Sequence, residues 1–148
     1  MLSLWRFYRY AKAFEETLRD DDWERVRPFF RPDAVYEVID DNFGCRLVGP
    51  DAIFAGMKKS LDGFDRLFPR RSARLTERPR LRWNHVRVSW SVKYKHDTWS
   101  PYILAGVSDV RYRGGLIAHL TDTLDATAKD SLATWTAAND VELRPAYV

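Results

Sequence analysis

The chain has 148 residues, 45% hydrophobic, 14% aromatic and 30% charged, and nowhere holds the run of about 20 apolar residues that a membrane-spanning helix needs. So many rings exclude a disordered chain, and the length predicts a single domain over 1–148 rather than two. With 24 basic against 21 acidic side chains the net charge is only +3, too mild a bias to make nucleic acid the expected partner. The one cysteine, Cys45, cannot form an internal disulfide, and the start MLSLWRFYRY lacks the apolar core of a secretory leader, so a cytoplasmic location is expected.

In chain order, Leu4, Phe7, Tyr8, Ala11, Phe14 and Leu18 recur at helical spacing and predict a first amphipathic helix. Asp20, Asp21 and Asp22 are placed to cap a second, short helix carrying Trp23 and Val26, which Pro28 must end. Pro32 and Asp33 turn the chain into a strand from Ala34 to Ile39. After Gly44–Pro50, a third helix follows with Ile53, Met57, Leu61 and Phe64 on one face.

Beyond Phe68 the period changes to two. Val86, Val88, Trp90, Val92 and Tyr94 alternate with polar residues, as in a half-buried antiparallel strand, and the segment from Ser72 to Arg82 is expected to precede it as its neighbour. Two further strands, Pro101–Arg113 and Leu116–Asp125, meet at Gly114 and Gly115, which suit a tight hairpin turn. Ala128, Leu132 and Trp135 predict a closing helix over about 126–139, after a core of 4–125, and 140–148 reads as a tail. Helices followed by a run of strands make an α+β domain: a curved, cone-shaped antiparallel sheet packed on three N-terminal helices, with a C-terminal helix.

DDDWERVRPFFRPDAVYEV, VGPDAI and VSDVRYRGGLIAHLTDTLD, in this order and spacing, resemble the nuclear transport factor 2-like superfamily and within it the SnoaL-like branch. The resemblance implies a cone that opens onto a pocket for a small hydrophobic molecule, no cofactor, and a homodimer formed through the outer sheet face. It also offers chemistries to test. Laid on the ketosteroid isomerases without gaps, the tyrosine position falls on Phe14, the base on Val38 and the oxyanion aspartate on Ser108. Phe14 and Val38 have no proton to give or take, which argues against steroid isomerisation. This register sends Ser108, Val110 and Tyr112 inward and leaves Asp109 outside. The limonene-epoxide hydrolases place an aspartate where Asp122 stands, but their companion Arg and second Asp would fall on the strand whose inner face is Val86, Val88, Trp90, Val92 and Tyr94.

Parity with Leu120 and Leu124 points Asp122 into the apolar interior, where desolvation raises a carboxyl pKa toward the range useful for acid or base work. An equally simple expectation is a structural acceptor bonded to a buried Tyr, Trp or Ser. Asp122 is the candidate base or acid, with Ser108 or Tyr36 orienting an oxygen. Asp40 shares parity with Tyr36 and Val38 and is a further candidate, against the solvated turn that Asp40-Asp41-Asn42 suggests. Tyr36, Trp90 and Tyr94 are the expected ligand-lining rings, with Phe14, Val38 and Tyr112 beside them. His85, His96 and His119 lack any metal-ligand spacing, so no metal is expected. The arginines from Arg66 to Arg87 could attract an acidic partner, or could solvate the outer sheet face.

Overall fold

A computed structural model describes residues 2–148. Helix α1 (Leu2–Asp20) buries Ser3, Phe7, Tyr10, Ala13 and Thr17, a stripe turned from the expected one, since Tyr10 is buried and Tyr8 exposed. Local hydrogen bonding explains how a polar residue takes the inner face: the Thr17 hydroxyl donates to the Ala13 carbonyl at 2.9 Å and lies 3.0 Å from that of Asp22, so its burial leaves nothing unsatisfied. On the outer face the Arg9 guanidinium covers the Trp5 ring at 4.7 Å, which shields an apolar ring left in solvent.

The second predicted helix is instead two single 3-10 turns, Trp23–Arg25 and Arg27–Phe29, because Pro28 cannot donate to a longer helix. Asp22 makes no side-chain cap. The acidic run is taken up by ion pairs, Asp20 with Arg25 and Asp21 with Arg66, both at 2.6 Å.

The remaining elements are β1 (Phe30–Ile39), β2 (Cys45–Val48), α2 (Pro50–Gly63), β3 (Arg70–Leu75), β4 (Arg80–Arg82), β5 (His85–Lys95), β6 (Tyr102–Arg113), β7 (Leu116–Leu124) and α3 (Ala128–Asn139). Seven strands form one curved, unclosed sheet in the order β2-β1-β7-β6-β5-β3, with β4 also on β5. The expected neighbour of β5 is thus two strands, and the return after Gly44 contains β2. The sheet is mixed rather than antiparallel, because β1 pairs with β7 in parallel. Sequence separation permits it: everything from β2 to β6 lies between the two strands, far more chain than a parallel crossover requires. Gly114 and Gly115, at φ 59° and 81°, make the tight β6–β7 turn in a conformation that glycine adopts without strain.

Period two along β5 does its expected work, and Val86, Val88, Val92 and Tyr94 are all buried on the inner face. One apolar cluster joins this face to α1 and α2 through Phe7, Tyr10, Ile53 and Met57. A second joins Phe64, Phe68, Tyr94 and Tyr102 to Leu132 and Trp135 of α3 and to Leu143. Trp90 packs against both clusters. No described helix is long and apolar enough to cross a membrane.

Candidate functional site

Between the two clusters the sheet leaves a hollow of about 680 Å³, within the range of ordinary small-molecule pockets. Asp122 of β7 stands beside Ser108 of β6 and Val38 of β1 in the strand register. Ser108 Oγ donates to Asp122 Oδ1 at 2.5 Å and Tyr36 Oη donates to Oδ2 at 2.8 Å. Trp90 Nε1 donates in turn to Ser108 Oγ at 2.9 Å. The indole can lie there because its register partner is Gly106: a Cβ at that position would stand 2.8 Å from the indole Cζ2 and 2.7 Å from the Thr123 carbonyl oxygen, too close for any other residue.

All these donors are neutral, and among the described residues no cation pairs with Asp122. Burial pushes its carboxyl above the ordinary value, the hydrogen bonds from Ser108 and Tyr36 oppose the rise, and the Asp109 charge adds to it. Burial and the Asp122 charge together push the Tyr36 phenol well up, so it remains a donor. Asp109 itself points to the other sheet face, 2.7 Å from both His85 Nε2 and Arg87 Nη1. Ser108 thus faces the hollow and Asp109 the opposite side of the sheet.

A second polar group on the wall of the same hollow escaped the sequence reading. Tyr94 Oη donates to Asp65 Oδ2 at 2.9 Å, Arg71 Nε donates to the same oxygen at 3.0 Å, and Arg71 Nη1 reaches both Glu15 oxygens at 2.8 Å. This ion-paired group ties α1 to the edge strand β3. Burial holds the Asp65 carboxyl above its ordinary value against the opposing pull of the Arg71 charge and the Tyr94 hydrogen bond. Asp65 carried no signal, being an acidic residue just past a helix end, and only the β3–β5 register, which sets Arg71 opposite Tyr94, brings its partners to it.

Tyr36, Trp90, Tyr94, Phe14, Ser108 and Asp122 all line the hollow. Val38, Tyr112 and Asp40 do not. Val38 and Tyr112 are consumed by the first apolar cluster, Tyr112 lying near the β6–β7 turn, where Arg6 of α1 covers Gly115. Asp40 sits in the turn after β1, its Oδ1 accepting the backbone N–H groups of Asn42 and Phe43, both at 2.9 Å. That is an Asx turn, and it sets Phe43, not Asp40, on the wall. Tyr147, read as tail, also lines the hollow and meets the Tyr36 ring edge-on at 5.6 Å between centroids.

Elsewhere, His85 opens β5, His96 stacks on Trp99 at 3.8 Å, and His119 Nε2 lies 3.4 Å from Glu37. Among the described residues no group of three or more His, Cys, Asp or Glu is arranged to hold a metal ion. Of the eight arginines from Arg66 to Arg87, Arg66, Arg70, Arg71, Arg80 and Arg87 pair with carboxylates.

No family model matches the chain, and neither does any curated protein. Solved structures do. A nuclear transport factor 2-like protein of unknown function from Burkholderia pseudomallei superposes with a TM-score of 0.64 at 17% identity, covering 92% of this chain and 98% of that one. TerC, co-crystallised with polyporic acid, gives 0.63 at 18% identity over 87% of this chain and 98% of its own. An LEH-like epoxide hydrolase from M. tuberculosis gives 0.52 at 17% identity over 88% and 91%. The class is therefore that of α+β proteins with a curved open sheet around a hollow. More narrowly, the chain has the nuclear transport factor 2-like fold.

Proposed function

We propose that the chain is a SnoaL-like pocket protein, that its hollow takes an apolar, cyclic ligand, and that Asp122 moves a proton on that ligand without a cofactor. One observation carries the reading: a carboxylate stands on the wall of a largely apolar hollow, held through both oxygens by hydroxyls and, among the described residues, in no ion pair. A purely structural acid is normally neutralised, since a buried uncompensated charge is costly. Here the cost raises the proton affinity of Asp122, which suits it to take a proton from a ligand C–H or from water and return it. Ser108 and Tyr36 fix both carboxyl oxygens while each keeps a lone pair for the transfer, and Trp90 fixes Ser108. Isomerisation, cyclisation, dehydration and hydrolysis share this step. Fold neighbours with a bound polyporic acid or an epoxide hydrolase name support a small-molecule role.

The test uses 5-nitrobenzisoxazole, a flat apolar molecule that opens to a coloured phenolate when a base removes its ring proton. The wild type should turn it over saturably, with a rate that rises with pH as Asp122 ionises, through an apparent pKa above that of a free carboxyl. Asp122→Asn should lose at least about 100-fold, as expected for removal of a general base. Equal turnover by wild type and variant would end the catalytic role.

The outer sheet face is the surface we propose for a second copy of the chain, because Ile39, Val48 and Ile103 stand there more than half exposed. Ile103→Lys should convert a sedimenting dimer to monomer without changing the turnover above; a monomeric wild type would refute this surface.

A further inference from the structure

Residues 140–148 form no regular element, yet the segment is seated rather than loose. Leu143 is buried with Phe64 and Trp135, the Arg144 N–H donates to the Gly63 carbonyl at 3.0 Å, and Ser60 Oγ donates to the Pro145 carbonyl at 2.9 Å. The seat is written into α2. Glycine is the weakest helix former after proline, but α2 carries Gly56 and Gly63, seven residues apart and so on one helical face. A Cβ on Gly63 would run into the Arg144 carbonyl oxygen, and one on Gly56 would meet the Leu47 side chain of β2 and stand 3.0 Å from the Tyr147 carbonyl oxygen. These two glycines and Ser60 lie along one side of α2, and the segment follows them as far as the hollow. There Tyr147 packs edge-on against Tyr36, the residue that donates to Asp122.

We propose that Tyr147 is a ligand-contacting residue of the Asp122 site, held over the hollow by the α2 glycine seat, and that the ligand is an apolar ring system bearing a hydroxyl or carbonyl oxygen which the Tyr147 phenol binds. The inference rests on the Asp122 hollow being a ligand site. Burial and the nearby Asp122 carboxylate push the phenol up, so it stays protonated and offers its O–H at neutral pH. Asp122 has its two hydroxyl donors already, and the Tyr147 phenol, which lies beside the Tyr36 and Ser60 hydroxyls, keeps its O–H for a ligand oxygen. The edge-on contact also fixes the Tyr36 ring, so loss of the seat would disturb one of the two groups that hold Asp122.

The experiment compares 2-naphthol with naphthalene, one probe carrying an oxygen and the other not, by quenching of tryptophan fluorescence in the full chain. Tyr147→Phe should weaken 2-naphthol roughly threefold to tenfold, the loss of one hydrogen bond, and leave naphthalene unchanged. Gly63→Ala, which favours the helix but clashes with the segment, should weaken both probes and speed cleavage after Glu142 by a glutamyl endopeptidase, with circular dichroism unaltered. If both probes bind the wild type and Tyr147→Phe binds them equally well, Tyr147 is no ligand contact. If Gly63→Ala changes neither cleavage nor binding, the seat does not hold it. Should the wild type bind neither probe, the pocket reading of Asp122 falls first and the ligand contact with it.

Discussion

Two carboxylates on the wall of one hollow, Asp122 and Asp65, are built alike and differ in their partners. Each is withdrawn from bulk water, each accepts from a tyrosine, Tyr36 in one case and Tyr94 in the other, and burial pushes each upward. Only Asp65 faces a guanidinium. Where Asp65 has Arg71, Asp122 has a hydroxyl backed by an indole. Neutral donors fix a carboxylate in place, but they leave its charge in the low-dielectric interior, whereas an arginine cancels it. The pairing makes Asp65 part of the frame that ties α1 to β3, whereas Asp122 is held by hydroxyls alone.

The contrast breaks most sharply at Arg71. Arg71→Met keeps the aliphatic stem but strands Asp65 and Glu15 without their counter-charge. The loss should be about 3 kcal/mol, at the low end for breaking a buried pair because Arg71 keeps 18% side-chain exposure. Urea unfolding with an unchanged m-value would measure it, and a cost under about 0.5 kcal/mol, the level of an ordinary surface pair, would show that the Asp65 group is not the frame described.

A smaller effect of opposite sign is expected at Asp122. An acid whose folded pKa lies above its unfolded value holds its proton longer in the folded state, so its contribution is most favourable below the unfolded pKa and is lost as pH rises through the folded one. Asp122→Asn removes that loss, and the variant should be more stable than the wild type at pH 8 on the order of 1 kcal/mol, about 2–4 °C in Tm for a chain of this size. At pH 4 the difference should shrink. Equal melting curves at both pH values would place Asp122 among ordinary compensated carboxylates.

Local periods carried much of this architecture. Alternation along β5 and across the β6–β7 hairpin was enough to put Trp90, Ser108 and Asp122 on one face and Asp109 on the other, because side-chain parity in a strand is set residue by residue. The face of α1 was misjudged because Tyr8 and Tyr10 are equally apolar in type and Thr17 is polar; hydrogen bonds to Ala13 and Asp22 decide that Thr17 goes inside. Parallel pairing of β1 with β7, the Asp65–Arg71–Glu15 group and the seating of Tyr147 depend on contacts between distant segments, for which no local period exists. Two glycines in α2 were the one trace of the last of these, since a helix gains nothing from them unless another backbone must come close.

The parallel pairing of β1 with β7 also bears on how the protein is made. Tyr36 and Asp122 lie 86 residues apart in sequence, and they meet only when one of the first strands docks beside the last. Such closures are slow steps in folding, since a long loop must be ordered before any contact rewards it. A ribosome would have to release every residue from β1 through β7 before this acid acquired its phenolic partner, so an intermediate lacking that docking would hold Asp122 without Tyr36.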